Sequence, residues 1–403
     1  MYKMRITSAA LAALLSASAG TAFAGGFQLT EQSALALGRA YAGVGVDGTD
    51  LSGAFYNPST IVLHSGTQIQ TGGVAVALNL PYESAGTQYD QNGRKKPEFV
   101  PHFYVTHQLN DKAWVGLSVT VPFGLATDYS QNWQQTDRGY RAEIKLVEMS
   151  PSFAYKLTDK LSLGAAFDIQ YVKAKLGFNY SVTDADIKVD SLAYGYTLGA
   201  MWSPLENVRL GVGYHSKVTH HSEGDMKYVG GTTDAKITMD APSYWIVSGA
   251  WDVNNWLSLY TTFRKTDWSS FSSLTLESPA VLLLTRNATN QRALPMNWRD
   301  TYLYTVGYDA RINDFWTLRG GLGYERSAVS DARYRTGTIP DADRLWVAIG
   351  SSFHWTKSFQ TDVSFAHLHG MHERSLYDRT GHEIGDFKRL DAYLFGIQAQ
   401  YRF

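Results

Sequence analysis

The sequence predicts an all-β protein, a transmembrane antiparallel β-barrel of 14 strands with an N-terminal segment folded inside its lumen. Three observations carry that expectation. Apolar and polar residues alternate with period two over long runs, which is the mark of a strand with two different faces. Connections between the runs alternate between short and long, as in barrels with short inner turns and long outer loops. A stretch before the first run breaks the pattern and yet stays apolar.

Composition narrows the function. The 403 residues include Trp 11, Tyr 25 and Phe 18, and 36 basic residues stand against 37 acidic ones. So many aromatics at near-zero charge exclude a disordered chain, and the lack of a basic run speaks against a nucleic-acid partner. With no cysteine, thiolate zinc sites, iron–sulfur clusters, cysteine nucleophiles and disulfides are excluded.

Residues 1–24 read as an export signal. Lys3 and Arg5 precede an apolar run from Ile6 to Ala19, and Ala22-Phe23-Ala24 has the small-x-small form of a cleavage site. The run is too short to span a membrane as a helix, and nothing downstream offers about 18 consecutive apolar residues.

The strands are expected at 66–80, 98–109, 112–122, 141–156, 160–180, 188–203, 206–220, 236–253, 256–276, 298–312, 315–327, 340–356, 359–373 and 389–403. Within them, Leu161, Leu163, Ala165, Phe167 and Ile169 alternate with Ser162, Gly164, Ala166, Asp168 and Gln170, and Tyr393 to Phe403 repeat the pattern. A soluble sandwich also alternates, but over strands of about 5–6 residues. Tilted membrane strands need about 9–11 residues and carry aromatic girdles, which fits these runs. Asn110-Asp111-Lys112, Thr158-Asp159-Lys160, Val253-Asn254-Asn255 and Asn313-Asp314 are among the short turns; 82–97, 124–139, 181–187, 221–235, 277–297, 328–339 and 374–388 are the long loops. An even strand number returns both ends to the inner side, and closure removes exposed sheet edges. Residues 25–65 hold no strand of membrane length, and Phe27, Leu29, Leu35, Leu37, Tyr41 and Phe55 favour burial over a solvated tail. The domains expected are thus 1–24 signal, 25–65 lumenal plug and 66–403 barrel.

Gly26-Phe27-Gln28-Leu29, Leu37-Gly38-Arg39-Ala40-Tyr41-Ala42-Gly43, Asn57-Pro58, Gly124-Leu125-Ala126-Thr127-Asp128, Trp316 to Gly321 and Ile339 to Trp346 occur in that order across the chain. In this the sequence resembles the FadL family of outer-membrane long-chain fatty-acid transporters. The resemblance implies an outer-membrane barrel closed by an N-terminal hatch, a hydrophobic ligand bound in the lumen, and lateral exit beside a kinked third strand. It implies no cofactor. Its expected partners are a long-chain fatty acid or another hydrophobic small molecule, and the surrounding lipid and lipopolysaccharide. The terminal Phe403 strand resembles the signal read by the barrel-assembly machinery, and a monomer is expected.

Site residues follow from the same resemblance. Asn57 and Pro58 match a hatch motif, with Ser59 where the family has alanine; proline fixes its own φ and restricts its neighbour, so a rigid turn facing the wall gap is expected. Phe27 matches a phenylalanine that reaches the ligand pocket. Pro122, Phe123 and Gly124 fall where the third strand departs from regular pairing, since proline lacks a ladder donor and glycine tolerates a bulge. Arg299 aligns with a basic residue near the ligand carboxylate, which an arginine fork suits. A second basic position falls at Phe178, leaving Lys173, Lys175 or Arg264 as replacements, or a neutral monoaromatic or other hydrocarbon as the ligand.

Other signals lead elsewhere or nowhere. Gly43-x-Gly45-x-x-Gly48 lacks the strand and βαβ unit of a dinucleotide site. His367, His369 and His372 are read as scattered histidines at the barrel mouth, and no metal is expected. His215 and Ser216 are adjacent and so point to opposite faces; with no nucleophile and base at a suitable spacing, an enzyme is not expected. A diffusion porin needs an open lumen, which the plug denies. Ala280-Val281-Leu282-Leu283-Leu284 is either an outer landing patch or a loop packed on itself.

Overall fold

The computed structural model describes residues 25–403 apart from 85–86, 93–95, 130–138, 181–182, 286–288, 373 and 379, so the export signal at 1–24 and the middle of the loop 124–139 lie outside the described residues. Fourteen antiparallel staves form a closed barrel. They are β1 (Thr67–Asn79), β2 (Glu98–Gln108), β3 (Ala113–Asp128), β4 (Arg141–Lys156), β5 (Leu161–Tyr180) and β6 (Thr183–Leu205). β7 runs Val208–His215 and on through Val218–Tyr228, β8 Gly231–Ala241 and Tyr244–Asp252, β9 Leu257–Thr266 and Ser273–Glu277, and β10 Gln291–Pro295 and Thr301–Arg311. β11 (Trp316–Glu325), β12 (Asp343–His354), β13 (Phe359–Met371) and β14 (Asp391–Arg402) complete the wall. Each stave pairs with its chain neighbours, and β14 pairs with β1 from Gln68↔Arg402 to Asn79↔Asp391. Segments Pro81–Ser84, Thr87–Asn92, Ser375–Tyr377 and Glu383–Phe387 make a separate four-stranded sheet from the outer loops.

The alternation sorts in the direction a membrane requires. On β5 and β6, Leu163, Phe167, Leu192, Tyr194, Tyr196 and Leu198 are exposed, whereas Ser162, Asp168, Gln170 and Thr197 are buried inside. An outward apolar face with a polar interior is stable only against lipid. Trp202, Trp251, Trp256, Phe315 and Trp355 gather beside the short turns, forming one girdle.

Several expected boundaries move. β10 begins at Gln291 instead of 298. β6 starts at Thr183 instead of 188, and β7 and β8 continue through most of 221–235, so 183–187 and most of 221–235 are ladder rather than loop. Their outward residues there are charged, with Lys236 Nζ 2.7 Å from Glu223 Oε1; above the lipid the outward face meets water, and the apolar half of the pattern disappears. The third strand runs on to Asp128 instead of ending at 122, because its register with β4 slips between Thr120 and Phe123 and then resumes. Residues 280–284 belong to a helix, α3 (Pro279–Thr285 in the chain), with Ala280 and Val281 buried and Leu282 and Leu283 exposed.

The segment 25–66 lies inside the wall. It contains α1 (Ala34–Leu37), α2 (Gly53–Tyr56) and a 3₁₀ turn at Pro58–Leu63. Ser33 caps α1 by accepting from the Ala36 amide at 2.9 Å, a good N-cap before an apolar turn. The segment touches the wall all round: the Ala34 amide donates to Gln398 Oε1 on β14, Gly43 to Thr262 on β9, Gly45 to Ser248 on β8, and Leu51 to Gln70 on β1. Polar inward side chains of the staves thus satisfy backbone groups that have no regular partner.

Candidate functional site: the cavity at Phe27 and the open edge of the third strand

The ladder between β2 and β3 stops halfway. It runs from Gln108↔Trp114 to Phe103↔Val119, and beyond that point β2 pairs with β1 alone. Pro122, which offers no amide, and the slipped pair Thr120/Phe123 sit directly above the last bond. The exposed edge is covered from inside by the N-terminal segment. The Leu29 amide donates to the Pro122 carbonyl at 2.8 Å and the Gly124 amide to the Phe27 carbonyl at 2.9 Å. Gln32 brackets Val121, donating to its carbonyl at 2.7 Å and accepting from its amide at 3.1 Å. Gln28 and Phe123 form the central bridge. The segment therefore stands where the next strand would stand.

Phe27 is fully buried among aromatic rings, with centroids 4.8 Å from Trp268, 5.6 Å from Phe271, 5.9 Å from Phe123 and 6.1 Å from Trp298. Above the cluster is a cavity of about 820 Å³, lined at its apolar end by Phe27, Leu125, Ile144, Leu176, Phe178, Phe271 and Leu274. Its outer end carries Arg292 and Arg333. Arg292 pairs across β9–β10 with Leu276, two residues outward from the pair Leu274↔Leu294, so it shares their inner face. The roof is the segment after β11: Thr338 and Ile339 line the cavity, and the Thr338 carbonyl accepts from Thr127 Oγ1 at 2.8 Å. Burial pushes the Asp341 carboxyl of that roof up to about 6, although Ser327 and the Ala328 amide donate to it.

The structure thus brings together Phe27, Phe178, Pro122, Phe123 and Gly124. Arg299 is elsewhere. It borders a second cavity of about 520 Å³, where its Nε donates to the Ser327 carbonyl at 3.0 Å and its guanidinium lies 3.8 Å from Asp343. Trp298 packs against Phe27, whereas Arg299 is turned to the Ser327 carbonyl. The suggested substitutes are also elsewhere: Lys175 pairs with Glu143 at 3.0 Å, Lys173 lies over the Tyr171 ring, and Arg264 is buried against Glu325 at 2.7 Å.

Asn57 and Pro58 do not face the open edge of β3. Asn57 Nδ2 donates to the carbonyls of Gly45 (2.8 Å) and Ala200 (3.1 Å), and its Oδ1 accepts from Ser59 Oγ at 2.7 Å. The turn rests on glycines of β5, β6 and β7: a Cβ on Gly164 would strike Pro58, and one on Gly199 would strike Asn57 Oδ1. Gly199→Val is expected to weaken this docking by about 1–3 kcal/mol through overpacking. Limited proteolysis within 25–66 is the check, with faster cleavage expected.

Residue-level reading missed Gln28, Leu29 and Gln32, which cover the edge, and Trp268, Phe271 and Arg292. Period two offered a signal for Arg292 alone, through its spacing of two from Leu294, which puts both on one face.

A family model described as outer membrane protein transport protein (OMPP1/FadL/TodX) matches residues 15–403. The long-chain fatty acid transport protein of Escherichia coli O6:H1 is 25% identical over 100% of this chain and 99% of its own. Among solved structures, a Pseudomonas aeruginosa FadL homologue is 22% identical with a TM-score of 0.81, covering 94% of this chain and 99% of that one. The toluene transporter TodX of Pseudomonas putida is 16% identical with a TM-score of 0.74, covering 92% and 98%.

Proposed function

Because the chain belongs to the OMPP1/FadL/TodX family of outer-membrane proteins, which transport hydrophobic compounds and are not enzymes, we propose that it imports long-chain fatty acids. The route runs through capture in the Phe27 cavity, displacement of residues 25–32, and sideways release into the outer leaflet where β3 leaves β2. The observation that carries this is the position of Phe27: its ring closes the apolar end of the cavity, and its carbonyl holds Gly124 on the unpaired edge. A ligand that moves the ring also frees the edge.

Magnitudes favour the ligand. Burying a sixteen-carbon chain contributes on the order of 12 kcal/mol at about 0.8 kcal/mol per methylene. Opposing it are the two backbone hydrogen bonds and the two Gln32 bonds to β3, at about 1 kcal/mol each, and the buried Phe27 and Leu29 side chains at about 1.5–3 kcal/mol each. The ligand wins, and the difference is reduced enough that the site does not become a trap.

The arginine-bearing outer end supports an acid as ligand, with its head at Arg292 and its tail toward Phe27. A guanidinium holds a carboxylate through two charge-assisted hydrogen bonds, and an ester or an arene offers no charge for this. The aromatic cluster around Phe27 favours the second reading, a monoaromatic hydrocarbon. Competition binding of palmitate, its methyl ester and toluene decides. Palmitate is expected to bind about tenfold or more tighter than the ester, a difference near 1.4 kcal/mol, and Arg292→Gln to abolish that preference. Equal affinity for acid and ester in the parent chain would remove the fatty-acid reading.

A further inference from the structure

On the outer wall, away from the lumen, β13 and β14 assemble three groups that transport does not use. His369 and Asp391 are direct cross-strand partners, and His367 lies two residues along the same outward face, opposite Tyr393. His369 Nδ1 is 2.8 Å from one Asp391 oxygen and His367 Nε2 is 3.6 Å from the other. All three donor atoms lie within 4.8 Å of one another. The Asp391 carboxylate is only 6% exposed, and its ion pairs among the described residues are these two histidines. His367 Nε2 is buried with no hydrogen-bond partner among the described residues.

We propose that His367, His369 and Asp391 form a binding site for a divalent transition-metal ion of zinc's class. Two imidazoles and one carboxylate suit such an ion and not magnesium or calcium, which take oxygen donors. Tetrahedral bonds of about 2.0–2.1 Å set neighbouring donors roughly 3.3 Å apart, and the two distances to Asp391 bracket that spacing. The His367 ring is stacked on Tyr393 at 4.9 Å and 7°, which fixes its orientation as an outer-shell support does. As the ion enters, the His369 ring changes tautomer: the Nδ1 hydrogen that faced Asp391 is given up to solvent and Nε2 takes one from solvent, so that a neutral imidazole presents its Nδ1 lone pair to the metal. A fourth position stays open to water. The site clamps β13 to β14, the strand that closes the barrel on β1.

The test uses the full mature chain without a histidine tag, in detergent micelles, with Co²⁺ as a visible probe. One equivalent is expected to give the absorption of tetrahedral Co²⁺, and Zn²⁺ to displace it. His367→Ala/His369→Ala and Asp391→Asn, checked for folding by heat-modifiable electrophoretic mobility, are expected to weaken binding by about tenfold or more. His382→Ala, which removes an exposed loop histidine paired with Asp378, is expected to leave it unchanged. The assignment is overturned if the parent shows no saturable signal, if the double variant keeps it, or if His382→Ala alone removes it.

Discussion

Replacing Arg39 by methionine is expected to give steady conductance in planar bilayers, where the plugged parent barrel is expected to conduct ions poorly. Arg39 is fully buried and joins the lumenal segment to the wall. It bonds to Asp47 of its own segment, lies 3.2 Å from Asp309 on β10, and stacks 4.0 Å from the centre of the Tyr260 ring. Asp309 also binds Arg319, which reaches Asp362 on β13 at 3.5 Å. Removing one member of a buried pair costs about 3–5 kcal/mol, because a charge is left without a partner. Asp309 would keep Arg319, but among the described residues Asp47 would keep only the Thr49 amide and hydroxyl. Asp47 would then draw water into the lumen, and the plug would loosen from the β10–β13 side. Unchanged conductance together with unchanged thermal stability would mean that other contacts hold the segment.

Phe27→Ala is expected to bind ligand more tightly, the reverse of what deleting an ordinary contact does. Truncating a buried phenylalanine costs about 3–5 kcal/mol, here charged to the closed arrangement in which the ring fills its aromatic cluster. If the ligand must first expel that ring, its apparent affinity carries the expulsion cost, and removing the ring removes the cost. A gain of about tenfold corresponds to roughly 1.4 kcal/mol, well inside the available amount. Displacement of a fluorescent fatty-acid analogue measures it. Weaker binding in the variant would make Phe27 a contact for the ligand instead of its competitor.

The wall was legible from the sequence because lipid imposes a period of two, which 161–170 of β5, β11 on either side of Gly320-Gly321, and 393–401 of β14 follow. Legibility ended where lipid ends. On β7 and β8 the outward residues Glu223, Asp225, Lys236 and Thr238 face water, so the same ladder reads as loop. The bend of β3 was visible in Pro122 and Gly124, but what covers it was not, since Phe27 to Gln32 form only isolated bonds with no periodic signature. The position of Arg299 was not legible either: it lies outside the Phe27 cavity, donating to the Ser327 carbonyl, while its neighbour Trp298 packs against Phe27, a residue far away in the sequence. The buried pair Arg39–Asp309 spans 270 positions, and no local pattern announces a contact at that separation.

The central claim is that the N-terminal segment must leave the edge of β3 for the ligand to pass. Gln28 and Phe123 face each other in an antiparallel bridge, which suits a disulfide, and the chain has no cysteine to interfere. In Gln28→Cys/Phe123→Cys, fatty-acid uptake into cells is expected to fall to the level of cells lacking the transporter when the pair is oxidised, and to recover on reduction of the same protein. Uptake that is equally fast in the oxidised and reduced states would contradict release at β3.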